Sequence, residues 1–314
     1  MQRSPRGRLR VVVDNDFGGD PDGLVQLAHH ALSPSVDLRL VIGSHLRPGD
    51  PFDPSATTAD TAAARAREVL ALADRNDVPV LAGSNTGLTT RSAPIRSAAA
   101  EALVAEAMRD DVDTPLYVCA GAGLTEMASA WLIEPRIAER LTLIWIGGPE
   151  HVGLAVPPPD AMPIEYNLLI DVTAASVVFG ESAIPVWQVP RDAYRQPLVS
   201  FAELERRMAG CGRLGAHLFA ALDRVREAAA EHGLALGETW ALGDSPLVLL
   251  TALQSAFEAD PSSSRHVPRE TPAITDDGRY EAVPGARPMR VYTALDTRLM
   301  VEDLFAKLSL HAGA

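Results

Sequence analysis

The sequence predicts an α/β fold: an open, mainly parallel sheet with flanking helices. Two observations predict it. Short apolar runs alternate with stretches of helical composition along the chain, and nearly every apolar run ends in small or polar residues, as strands do where they turn into helices. Size agrees with this reading, since 314 residues, 47% of them hydrophobic, supply ample material for a core. They fit one domain over 1–314, with residues 1–8 as a disordered tail.

The first run, Leu9 to Val13, reads as a buried strand. It breaks into Asp14-Asn15-Asp16-Phe17-Gly18-Gly19-Asp20-Pro21-Asp22-Gly23 and resumes as a helix from Leu24 to His30. Val36 to Ile42 is a second strand, and Ala59 to Ala73 has helical spacing. Val78 to Ala82 then runs into Gly83-Ser84-Asn85, Leu116 to Cys119 into Gly121-Ala122-Gly123-Leu124-Thr125, and Leu141 to Ile146 into Gly147-Gly148-Pro149. Such repetition implies parallel strands joined by right-handed crossovers.

Leu154 to Met162 carries Pro157-Pro158-Pro159, which resists both helix and central strand, and reads as a loop over the sheet's edge, open to a lid role. Ile184 to Val189 is a further strand and Phe201 to His232 a long scaffold helix. Trp240-Ala241-Leu242-Gly243-Asp244-Ser245-Pro246-Leu247 opens the run Val248 to Phe257, with Asp244 at an N-cap position. Asp260 to Pro288 reads as a loop with one hairpin, Met289 to Leu295 as a late strand and Arg298 to Leu310 as the closing helix.

A net charge of −13 argues against a nucleic-acid partner, because phosphate binding needs a basic face. A small neutral substrate meets no such objection. The basic start, Met1 to Arg10, leads into only three apolar residues before the acidic turn, so no signal-peptide core is present and a cytoplasmic location is expected. No later run is long enough to span a membrane. Cys119 and Cys211 are too few and too separated for a disulfide framework or a thiolate metal site.

Chemistry concentrates in the first turn. Asp14, Asp16, Asp20 and Asp22 place four carboxylates within nine residues at the carboxyl end of a buried strand, where they repel one another unless a cation or protons offset the charge. Oxygen donors without interleaved Cys or His suit Ca²⁺ or Mg²⁺ better than Zn²⁺. The plainer reading is a solvated acidic loop with a capping aspartate. Position favours the ligand site, because open α/β sheets bind ligands outside the carboxyl ends of their strands.

The stretch Asp14 to Asp22 resembles the amino-terminal aspartate signature of the inosine-uridine preferring nucleoside hydrolases: Asp-Thr-Asp, a Gly turn, an adjacent Asp pair and a helix. Further segments agree in order. Ala122-Gly123-Leu124-Thr125-Glu126-Met127-Ala128 is similar to the family's Gly-Pro-Leu-Thr-Asn-Leu-Ala, Ile146-Gly147-Gly148 to its Met-Gly-Gly, Glu165-Tyr166-Asn167 to its Glu-Phe-Asn, and Asp244-Ser245-Pro246-Leu247 to its late Asp-Pro. The resemblance spans Leu9 to about Leu253.

It implies a Rossmann-like sheet and hydrolysis of an N-ribosidic bond by a water held on Ca²⁺, with the ribose hydroxyls on the same ion. Carried over, Asp16 is the general base and a calcium ligand, Asp244 a second ligand and the Thr125 carbonyl a third. Asp20, Glu165 and Asn167 hold ribose hydroxyls, Asp20 at the metal. Carboxylates gathered around the sugar would stabilise the oxocarbenium-like charge that develops as the bond breaks. The family's usual assembly is a homodimer or tetramer.

Three departures stand out. The adjacent Asp pair reads Asp20-Pro21, leaving Asp22 as the candidate substitute ligand. The residue before the late aspartate, often a His that protonates the leaving base, is Gly243. The early Gly-Asn is Gly43-Ser44, followed by His45, a candidate to approach the base. Trp240, Trp187 and Tyr166 are aromatic candidates for stacking on base or sugar.

These departures leave two alternatives: a relative acting on another ribosyl or glycosyl substrate, and a non-catalytic carbohydrate-binding relative. The retained pair Asp16 and Asp244 argues against the second. Asp14-Asn15-Asp16 is also similar to the haloacid-dehalogenase phosphatases, but their essential Lys has no counterpart near it, since the one lysine is Lys307 in the closing helix.

Overall fold

In the computed structural model, which describes residues 7–231, 233–257 and 262–314, the chain builds an eight-stranded sheet. The first half runs β1 (Leu9–Asn15), α1 (Asp22–Ala31), β2 (Val36–Gly43), α2 (Thr58–Leu72), β3 (Val80–Ala82), α3 (Ala98–Ala107), β4 (Leu116–Ala120), α4 (Thr125–Ile133) and β5 (Leu141–Ile146). A loop leads to α5 (Tyr166–Ile170), α6 (Val172–Ser176), β6 (Val186–Val189), α7 (Arg191–Tyr194), β7 (Leu198–Ser200), α8 (Phe201–Leu204) and α9 (Gly212–Glu231). The remainder is β8 (Thr239–Ala241), α10 (Pro246–Leu249), β9 (Arg265–Glu270), β10 (Ala273–Ile274), β11 (Tyr280–Glu281), β12 (Pro288–Ala294) and α11 (Thr297–Ala312).

The sheet order is β3-β2-β1-β4-β5-β6-β12-β9, parallel throughout except for the antiparallel edge strand β9. Strand order reverses between β1 and β4, the place where a crevice opens above a doubly wound sheet. Alternation along β1 divides the core in two. Val11 and Val13 pack with Leu24, Leu27, Val69 and Leu218 on one face, and Val12 packs with Leu103 and Met127 on the other. All three valines are fully buried; each such side chain contributes about 1.5–3 kcal/mol. Among the described residues no helix is long and apolar enough to cross a membrane.

Several expectations are corrected. Strand β1 runs on through Asp14 and Asn15. The long helix expected from Phe201 to His232 is broken: α8 passes into a wide π turn, Glu205–Ala209, and α9 begins afresh at Gly212, whose φ of +62° few other residues adopt. Its expected last residue, His232, lies outside the described residues, as do Asp260 and Pro261 of the late loop. The helix expected over Val248 to Phe257 shrinks to α10. The late loop contributes β9 as well as the expected hairpin, β10 with β11. Of the expected tail, residues 1–6 lie outside the described residues, whereas Arg8 donates to the Gln254 carbonyl (2.8 Å).

Candidate active site

A cavity of about 240 Å³ opens at the carboxyl ends of β1, β4 and β5, and Asp16, Asp20, Asp22 and Asp244 line it together. The last lies 222 residues beyond Asp22 in the sequence, so the fold makes this cluster. Pro21 is the N-cap of α1, and its fixed φ of −70° lets the helix start at Asp22 and turn that side chain inward. There Asp22 Oδ2 accepts the backbone N–H of Asp244 (2.9 Å). Asn15 reaches across from β1 and donates to Asp244 Oδ2 (2.9 Å).

Electrostatically the cluster is one-sided. Burial raises the Asp16 pKa well above the carboxylate range, and the charges acting on it, Asp244, Asp20 and Asp50, are all negative and raise it further. Asp22 is raised for the same reasons, burial first and then Asp244, Asp20 and Asp16. Burial lifts Asp244 to about 7 against the opposing bond from Asn15. Asp20, at the open mouth, is raised to about 6 by the surrounding protein. Anionic oxygen donors sharing a cavity, with no cationic partner acting on them, match a hard divalent cation in kind. Among the described residues no three Asp, Glu, His or Cys side chains are already drawn together as a coordination shell.

The opposite wall comes from the segment after β5. Glu165 caps α5 and its carboxylate takes four donors: Gly148 N (2.7 Å) and Leu168 N (3.0 Å) on Oε2, Asn167 N (3.2 Å) and the Tyr194 hydroxyl (2.8 Å) on Oε1. Gly148 has φ +85°, and a Cβ there would run into the Tyr280 hydroxyl, so only glycine lets the backbone deliver that N–H. Asn167 donates both amide hydrogens, to Gly121 O (3.2 Å) and Ile146 O (2.8 Å), leaving Oδ1 as the acceptor it can offer a hydroxyl. Tyr166 lines the cavity and donates to Asp50 (2.6 Å), which Arg47 also meets at 3.1 Å. That bond pins the loop carrying Phe52, which forms part of the rim.

Other sequence candidates lie elsewhere. Asp14 shares the Val12 face of β1 and does not line the cavity. Ser44 donates to its Oδ1, Oδ2 has no partner, and burial holds its pKa up at about 8. His45, expected to approach the base, is buried outside the cavity wall, with Nδ1 donating to Leu46 O (2.9 Å) and Nε2 hydrogen-bonded to the Thr125 hydroxyl (3.0 Å). Thr125 opens α4 and donates to Asp171 (2.7 Å); its side chain does not line the cavity. Trp240 packs edge-on against Phe201 (5.9 Å), and its indole N–H faces Asp20 and lowers that pKa without closing a hydrogen bond. Trp187 lies between Tyr117 and Tyr292, in the core rather than on a ligand. Asp244 is no helix cap, since its carboxylate is bonded to Asn15.

Sequence reasoning missed Asp50, Phe52, Tyr194 and Arg195. The last two sit at the end of α7, the short helix after β6, and only the general rule that sites form beyond the carboxyl ends of parallel strands could have drawn attention to that segment.

Comparison with known proteins agrees with this geometry. The family model described as inosine-uridine preferring nucleoside hydrolase matches residues 11–298. The inosine-uridine preferring nucleoside hydrolase of Crithidia fasciculata is 41% identical over 68 residues, 21% of this chain and 19% of that protein, so the match spans about a fifth of that relative's length. Among solved structures, a purine-preferring ribonucleoside hydrolase from Gardnerella vaginalis superposes with a TM-score of 0.72 at 17% identity, covering 96% of this chain and 99% of its own. A plant nucleoside hydrolase gives 0.71 at 18% identity with the same coverage. At that identity the likeness is one of fold.

Proposed function

The chain belongs to the inosine-uridine preferring nucleoside hydrolase family, and from that premise we propose that it hydrolyses the N-glycosidic bond of a ribonucleoside, releasing base and ribose. The observation that carries the proposal is the convergence of Asp16, Asp20, Asp22 and Asp244 on one cavity of about 240 Å³ at the switch point of the sheet. A nucleoside is small enough to place its sugar there.

Asp16, Asp22 and Asp244 are the residues that would hold a calcium ion, with Asp20 beside them at the mouth and the Thr125 carbonyl as a further ligand. When bound, calcium supplies a fixed point for the ribose hydroxyls and lowers the pKa of water. The chain's own groups do the rest. Asp16 takes the proton from the attacking water. Asp20 and Asn167 Oδ1 accept hydrogen bonds from ribose hydroxyls. Glu165, with four donors already on its carboxylate, holds Asn167 and Tyr194 in place and adds negative charge beside the sugar as positive charge develops on it. Phe52 at the rim limits water access.

A reducing-sugar assay on a panel of ribonucleosides, with calcium and with a chelator, tests this. Turnover that needs calcium is expected, and Asp16→Asn should keep its unfolding midpoint while losing at least a hundredfold in kcat. Ribose release from none of the panel, or wild-type turnover in Asp16→Asn, would refute it.

A further inference from the structure

Apart from the carboxyl groups, the side-chain hydrogen-bond donors lining the cavity are four, and three are spent inside the protein. Asn167 gives both amide hydrogens to backbone carbonyls, Tyr166 donates to Asp50, and Tyr194 donates to Glu165. The fourth is Arg195. It follows α7, its side chain is exposed at the cavity wall, and its guanidinium has no hydrogen-bond or ion-pair partner among the described residues. Arg195 thus lines the cavity together with five acidic residues, its charge felt by Glu150 outside that lining, and it is the one lining donor left to meet an anion that the carboxylates themselves would repel.

Its position is tied to Gly243. Gly243 precedes Asp244 and has no side chain to offer. A Cβ there would meet Asp22 Oδ2 at 3.2 Å, the Tyr194 carbonyl at 3.4 Å and the Tyr194 ring at 3.6 Å. Gly243 therefore packs closely against the peptide that joins Tyr194 to Arg195. His45, the remaining candidate acid near these strand ends, is turned away and engaged at both ring nitrogens.

We propose that Arg195 is the leaving-group residue of this site, binding the departing base as an anion in the cavity that it lines together with Gly243. The inference rests on the N-ribosyl hydrolase reading. As the C1′–N bond breaks, its electron pair stays on the base and is delocalised onto a carbonyl oxygen conjugated with that nitrogen. Arg195 donates hydrogen bonds to that oxygen and keeps its proton, as a guanidinium does across the working pH range. Water adds its oxygen to C1′ and gives one proton to Asp16. The base anion takes a proton from solvent after release, and Asp16 returns its own.

The test compares two leaving groups. 4-Nitrophenolate departs without assistance, whereas uracil and hypoxanthine need it. In Arg195→Met the ratio of kcat/KM for 4-nitrophenyl ribofuranoside to that for uridine or inosine should rise at least tenfold, equivalent to about 1.4 kcal/mol of leaving-group stabilisation. Arg195→Lys should recover part of the difference. A thermal unfolding midpoint equal to wild type would establish that the variant is folded, as its exposure predicts. A ratio within twofold of wild type would overturn the assignment of Arg195 and leave the hydrolase reading intact. Failure of the wild-type protein to cleave either riboside with calcium present would overturn both.

Discussion

Asp22 is the residue on which this site departs most from its family, because Pro21 stands where a carboxylate is expected and offers no side-chain oxygen. The structure turns Asp22 into the cavity, one residue later, through the start of α1. Calcium affinity in such sites depends on the number of charged ligands and on their rigidity. Asp22→Ala should therefore weaken calcium binding more than tenfold, about 1.4 kcal/mol, by isothermal titration. An unchanged affinity would remove Asp22 from the ligand set. At this scale the sequence was informative where chemistry sits at a strand end, as at Asp16, and where the family resemblance supplied a distant partner, as at Asp244, which by its own position read as a helix cap; the two line one cavity. It misled where burial decides. Asp14 falls on the other face of β1 from Asn15 because side chains alternate along a strand, and His45 is consumed by Leu46 and Thr125. Arg195 carries no local motif at all; only the tertiary meeting of α7 with Gly243 gives it a role.

Among the elements, the short helix α6 holds more than its length suggests, through its N-cap Asp171. One carboxylate oxygen accepts Ala174 N (2.8 Å), and the other accepts Leu88 N (2.8 Å) and the Thr125 hydroxyl (2.7 Å). Three segments, the loop after β3, the start of α4 and α6 itself, thus meet on one buried side chain. Asp171→Ala would strand those donors, each at about 1–3 kcal/mol, so a loss on the order of 3 kcal/mol or more in urea unfolding is expected, with faster hydrogen exchange at Leu88. A loss below about 1 kcal/mol would show that water replaces the carboxylate. The strand–helix alternation was legible through β6 because each apolar run has its own small-residue terminus. The break before α9 was not: Gly210 and Gly212 look tolerable within a helical composition, and only the packing of α9 and α11 shows the turn is used. Strand β9 was hidden because, as an edge strand with Pro268 and a charged, exposed face, it has no core-facing pattern to read.

For the whole molecule, the buried aspartates couple stability to pH. Unfolded carboxyls ionise near pH 4, but in the folded, metal-free protein burial keeps Asp14 protonated to about 8 and Asp244 to about 7, with Asp16 and Asp22 also raised. The folded state then holds more protons than the unfolded one, so its stability falls as pH rises through those values, by about 1.4 kcal/mol per pH unit for each proton held. His29 and His30 act oppositely: burial lowers both from 6.5, the latter to about 3, and they cost stability only as pH falls below 6.5. Between pH 6.5 and 8.5 the carboxylates therefore dominate. The urea midpoint of chelator-treated protein should fall across that range, and calcium should abolish the fall by binding the ionised, folded form; a flat or rising midpoint without calcium would contradict the buried cluster. The sheet's two rims carry a different consequence. One is β3, only three residues long, and the other is β9, with Pro268 interrupting its donors and Arg265, Arg269 and Glu270 exposed along it. Neither offers a long apolar template for a second chain to add a strand. The main sheet is thereby guarded against edge-to-edge pairing with a second copy at high concentration.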